Sequence, residues 1–151
     1  MGPFPGNRVV PFLGNQGGPI TGNPAPAHDA HRNHLFILLN NPFGPAQQVL
    51  MVSVCSVPQA ARYDRTCILV PGDHDFIRHE SYVAYGKPRI ESSRSLLLGV
   101  TNGLFVDKGL VNEHVFAKII DGLRKSPFSK PFAVQFANQV IAAEKRGIAP
   151  R

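Results

Sequence analysis

With 151 residues, 43% of them hydrophobic and 17% charged, the chain has the length and residue usage of one packed domain, and no second core is required. Sixteen Lys and Arg against ten Asp and Glu leave a formal charge of +6, which biases the chain toward polyanionic partners such as nucleic acid through counterion release. Cys55 and Cys67 are too few for a disulfide framework and read as buried thiols; no stretch approaches the roughly 18 apolar residues of a membrane span, and residues 1–11 lack a charged segment followed by an apolar one, so a cytoplasmic protein away from membranes is expected.

Pro, Gly and Asn crowd residues 1–33. That segment reads as a long loop or tail with one short apolar run at 9–13, a candidate edge strand because Pro11 withholds a ladder donor. Residues 34–39 (HLFILL) form a continuous apolar run of the kind a strand buried on both faces presents, and the turn formers of 40–45 (NNPFGP) close it. Residues 48–56 are rich in β-branched side chains, so the two runs read as neighbouring antiparallel strands. A further strand is expected over 66–70, ended by Pro71-Gly72, and another over 81–85, with Pro88 limiting its pairing. About five short strands in such a span argue for a barrel or sandwich rather than βαβ units.

The pattern then turns helical. Val115, Phe116, Ile119, Ile120 and Leu123 recur at helical spacing behind Asn112, a good N-cap, and Arg124 and Lys125 complement the dipole in the last turn. A second helix is expected from Ser129, with Pro131 in its first turn and Phe132, Phe136 and Val140 along one face. The chain thus divides into 1–33, a folded unit over 34–125, and a helical extension over 126–151: mainly β with C-terminal α.

Three groups of side chains can carry chemistry. His28, His31 and His34 make an H-x2-H-x2-H array able to offer imidazoles to zinc, although a structural site needs a fourth ligand on a fixed backbone; no metal or other cofactor is expected. Residues 72–80 place His74, Asp75, Arg78 and His79 within one short run, a set able to move protons around a phosphodiester and steady charge on phosphorus, or simply a solvated turn. The third group is the paired strand ends, with Arg32 and His34 entering the first strand and Cys55 and Ser56 leaving the second; a hydroxyl or thiol beside a cation makes a phosphate site. Phe43, Phe76, Tyr82 and Tyr85 are candidate stacking platforms, with Arg78 and Arg89 as neighbouring cations, although phenylalanines are more often core.

In order and spacing these pieces resemble the PemK/MazF-like family of plasmid-maintenance and chromosomal toxins. Residues 36–44 (FILLNNPFG) are similar to the family's second strand and its Asn/Gly exit, and 49–56 to the next strand. Residues 81–90 (SYVAYGKPRI) resemble the late strand with its Q-[IVP]-R-[ST] type ending, while Leu98-Gly99-Val100, Gly103-Leu104 and the helix from Asn112 follow the closing pattern. The resemblance covers about residues 34–125. It implies a small SH3-like barrel of about five to seven strands followed by one or two helices, and a metal-independent endoribonuclease cutting single-stranded RNA by attack of the 2′-hydroxyl. On that basis His34 or His79 handles the proton, Arg32, Arg65 or Arg78 steadies the phosphorane-like charge, and Ser56 positions the phosphate. His74, Asp75, Arg89 and Tyr85 would help bind substrate. A homodimer and an antitoxin protein as partner are implied as well.

The chain departs from the family at four places. His34 stands where the family's arginine precedes the second strand, Cys55 or Ser56 where it has Ser or Thr, and Ala84 and Gly86 where some members carry Arg and Asp. These departures define a second expectation, a barrel that binds RNA or protein without cutting it.

Overall fold

The apolar run that begins at His34 is the spine of the sheet. The computed structural model describes residues 19–22, 34–59, 61–103, 105–107, 109 and 111–146. In it, β2 (His34–Leu38) runs antiparallel to β3 (Gln48–Ser56), with Leu35 opposite Val54 and Leu38 opposite Met51. The two strands turn through residues 39–47, as the turn formers there predict. Gly44 takes a φ of 76° in that turn, a conformation glycine adopts without steric cost, and Gln47 follows at φ 50°.

β3 also pairs antiparallel with β5 (Ser81–Ser92), which carries β4 (Ile68–Leu69) on its far side. On the other flank β2 pairs with β1 (Pro19–Gly22), and β1 with β6 (Phe105–Asp107). The resulting order is β4-β5-β3-β2-β1-β6. The described residues are therefore mixed, one antiparallel sheet with helices concentrated toward the C-terminal end, and among them no ladder joins β4 to β6.

β5 does not end at Pro88. It runs on to Ser92, and pairing lapses where proline lacks its N–H: from Met51↔Arg89 to Ser53↔Ala84, two steps along β3 face five along β5. The surplus forms an extended bulge around Gly86, Lys87 and Pro88, which bends the strand. The strand expected over 66–70 is only two residues long. Pro19–Gly22, expected as loop, is a strand because it finds a partner edge on β2. The edge strand expected over 9–13 lies outside the described residues.

The three helices among the described residues cover this sheet unequally. α2 (Glu113–Lys125) starts as its sequence predicts: Asn112 Oδ1 accepts from the Val115 N–H at 2.8 Å. α3 (Pro131–Lys145) starts after Lys130 with proline in its first turn and no side-chain cap. Ser129, expected to open α3, instead donates its hydroxyl to the Leu123 carbonyl at 2.6 Å and so closes α2. The buried face of α3 is Ala133, Phe136, Ala137, Val140 and Ala143, while Phe132 is exposed. α2 and α3 pack on the face formed by Leu35, Ile37, Leu50, Val52, Val83 and Tyr85.

Among the described residues, the opposite face is covered over part of its length only. α1 (Ser93–Thr101), a helix not foreseen in the sequence, is capped by Ser92, whose Oγ accepts from the Ser95 N–H at 3.1 Å. Its Leu96 packs with Phe36, Leu38, Val49 and Met51, and with Val100 and Phe105 at the margin. Successive residues of a strand alternate faces, so Ser53, Cys55 and Tyr82 continue that face beyond the reach of α1. No helix among the described residues is long and apolar enough to cross a membrane.

Candidate functional site

The end of this face that no described helix covers is the floor of an open cleft of about 730 Å³. Ser53, Cys55 and Tyr82 lie on the floor; Ser56, Arg78, His79 and Lys87 stand around it. Cys55 and Tyr82 are cross-strand partners. Burial raises the Tyr82 phenol above its usual range and the Cys55 thiol beside it adds to the shift, so the phenol remains a neutral hydrogen-bonding group.

The wall that carries Arg78 and His79 is fixed by two consecutive turns. Asp73 N–H donates to the Val70 carbonyl at 3.0 Å, and the Asp73 carboxylate accepts from the Val70 N–H at 2.8 Å. Ile77 N–H then donates to the His74 carbonyl at 2.9 Å, and the Ile77 side chain is buried in the main core. That apolar anchor sets Arg78 and His79 beside the sheet. Ser81, buried at the start of β5, donates to the His79 carbonyl at 2.8 Å, and Val57 N–H donates to the Glu80 carbonyl at 3.0 Å. Lys87 reaches the cleft from the bulge of β5, where the lapse in pairing frees the chain to turn it outward.

Of the candidate residues, Ser56, Arg78 and His79 come together in this lining. His34 opens β2 opposite Gly22 at the same end of the sheet, one step beyond the Leu35↔Val54 pair. Arg32, His28 and His31 lie outside the described residues. His74 and Asp75, although close in sequence to Arg78, do not line the cleft; the His74 ring accepts from the Phe76 N–H through Nδ1 at 3.1 Å, a local turn contact.

Tyr85, expected to help bind substrate, lies in the core. It is fully buried, on the face opposite Tyr82, and its hydroxyl donates to the Ile119 carbonyl of α2 at 2.6 Å. Burial pushes its phenol far above the ordinary range, with Cys67 adding to the effect; it is a core strut closed off from the surface. Arg89 is engaged as well: it pairs with Glu91 at 2.6 Å and lies over the Phe36 ring with 5.7 Å from guanidinium carbon to centroid. Phe43 packs edge-on against Phe136, centroids 5.8 Å apart, on the core side. Phe76 lines the cleft while also packing against the core.

Arg65 belongs to an adjoining pocket of about 690 Å³ that shares Pro58 with the cleft and is lined also by Arg62, Tyr63 and Phe128. Among the described residues lining the two hollows there is no aspartate or glutamate. Lys87 and Arg62 escaped the sequence reading. Lys87 carried one signal, the Gly-Lys-Pro interruption of a strand, while Arg62 carried none. Chemically the cleft offers two cations for an anionic group, an imidazole, and hydroxyl donors on the floor and rim.

Compared with known protein families, with curated proteins and with solved structures, the chain matches none.

Proposed function

We propose that the cleft binds the backbone of single-stranded RNA and that the chain is a PemK/MazF-like, toxin-type protein that cleaves it without a metal. The observation that carries this is the lining itself: Arg78, His79 and Lys87 around one open cleft with no carboxylate among the described residues that line it. Such a surface attracts phosphate and repels nothing anionic. In this reading His79 takes the proton from the 2′-hydroxyl or returns one to the leaving oxygen, Arg78 and Lys87 stabilise the charge that develops on phosphorus, and Ser56 hydrogen-bonds a phosphate oxygen. His34, at the same end of the sheet, is the alternative base.

The fold part of the proposal, an SH3-like barrel, rests on β5, whose bulge supplies the kind of sharp bend that curling a sheet requires. A homodimer neutralised by an antitoxin belongs to the same reading. Purified protein incubated with mixed-sequence single-stranded RNA and chelator is expected to give fragments ending in cyclic phosphate, and His79→Ala should lower the rate by about 100-fold or more. Intact RNA together with no salt-dependent binding would overturn the proposal.

A second reading, a barrel that binds RNA without cutting it, is favoured by β5. Ala84 is buried, and a Cβ added at Gly86 would stand 3.6 Å from Phe128, so neither position presents an acid or a cation to the cleft. Retained binding with a steep salt dependence and no fragments would select this reading.

A further inference from the structure

The adjoining pocket is built by a buried polar hub. Asp64 and Ser126 are both buried. The Ser126 hydroxyl donates to Asp64 Oδ2 at 2.5 Å, and Asp64 Oδ1 accepts from the Thr66 N–H at 2.9 Å. The same Ser126 oxygen accepts from the Phe128 N–H at 3.0 Å. One hub therefore fixes two walls: residues 63–65 on one side and Phe128, just past α2, on the other. With Asp64 turned inward, its neighbours Tyr63 and Arg65 stand on the pocket side.

Those neighbours form a column of flat groups leading out of the cleft. Tyr63 packs at a tilt against Tyr82, with centroids 5.1 Å apart and planes 38° apart, and the Arg65 guanidinium lies 4.6 Å from the Tyr63 centroid. Tyr82 belongs to the cleft and Tyr63 to the pocket, so the column joins the two. Phe128, more than half exposed, contributes a ring to the same pocket, and Arg62 a second guanidinium. Aromatic and guanidinium planes held at fixed positions beside cations are what unpaired bases stack on while their phosphates are neutralised, without regard to sequence.

We propose that this pocket is a second nucleotide subsite, in which an unpaired base of a strand lying in the cleft stacks against the Tyr63–Arg65 column and Phe128 while Arg62 and Arg65 hold its phosphate. The inference rests on the RNA reading of the cleft and extends it to a strand path that crosses Pro58 from one hollow to the other.

Fluorescence anisotropy with labelled all-pyrimidine RNAs of about four and about twelve nucleotides tests it, both lengths falling within the range of about 4–16 nucleotides that one OB-fold single-strand site takes. The full chain should bind the longer RNA more tightly. Tyr63→Ala and Phe128→Ala should each weaken the longer RNA about tenfold, equivalent to about 1.4 kcal/mol, and leave the shorter one unchanged, whereas Tyr63→Phe should bind like the parent. R62A/R65A should lower the slope of log affinity against log salt by about 1.4 for the longer RNA, about 0.7 for each lost phosphate contact. A strand of equal length with abasic sugars should lose the Tyr63 dependence. If Tyr63→Ala and R62A/R65A bind both RNAs like the parent while Arg78→Ala weakens both, the second subsite is refuted and the cleft reading stands. If neither RNA binds the parent protein, both fall.

Discussion

Asn40 is buried at the exit of β2, and its carboxamide works in both directions. Oδ1 accepts from the Leu50 N–H at 2.8 Å, and Nδ2 donates to the carbonyls of Gln48 and Asn41 at 3.1 and 2.5 Å. Backbone groups buried without partners cost about 1–3 kcal/mol, so Asn40→Ala should destabilise the chain by about that much, read as a lower urea midpoint at unchanged slope. The asparagine was legible as a turn former; its service to the β3 backbone was not, because that depends on which strand returns alongside. The tyrosines of β5 show a similar limit. Tyr82 and Tyr85 are three positions apart on one strand and so face opposite ways, yet nothing in the local pattern says which face receives helices. Only the packing of α2 decides that Tyr85 is core and Tyr82 is cleft.

At the scale of elements, the contact between β5 and α2 depends on a missing side chain. The Tyr85 ring lies on Gly122, and a Cβ there would overlap its hydroxyl and stand 2.8 Å from Cζ. Alanine in a helix would ordinarily gain about 1 kcal/mol over glycine, but Tyr85 is held by burial and by its bond to Ile119 and has no room to withdraw. Gly122→Ala should therefore destabilise by about 1–3 kcal/mol, and the cost should shrink when Tyr85→Phe removes the nearest atom; thermal melts of the two single variants and the double variant check this. The helix itself, with its cap and apolar stripe, was plain in the sequence. α1 was not: its cap, Ser92, continues directly from a strand, so a run that keeps strand geometry through Glu91 conceals where the period changes. The bulge was half legible, since Pro88 signals a broken ladder but not that β3 resumes pairing beyond it.

For the molecule as a whole, two buried titratable groups predict how the fold responds to alkali. Burial raises the Cys67 thiol and the Tyr85 phenol, so the folded chain keeps both protons after the unfolded chain has lost its own, from about pH 8.5 for the thiol and about pH 10 for the phenol. The contribution of these two groups should be level below about pH 8, and stability should then fall by up to about 1.4 kcal/mol per pH unit for each group. Urea midpoints that do not move between about pH 7 and pH 10.5 would contradict this, and Tyr85→Phe should flatten the upper part of the decline. The general architecture, paired strands followed by helices, was readable from the apolar periods. The site was only partly so, because Lys87, Arg62, Tyr63 and Phe128 come together through the fold and share no spacing in the chain.

The rims of the sheet bear on how this protein can meet others. Among the described residues β4 offers two residues and β6 three, lengths that give an incoming strand almost nothing to zip onto. Edges this short favour contact through surfaces whose chemistry is written in side chains over shared backbone ladders, which any extended peptide can form.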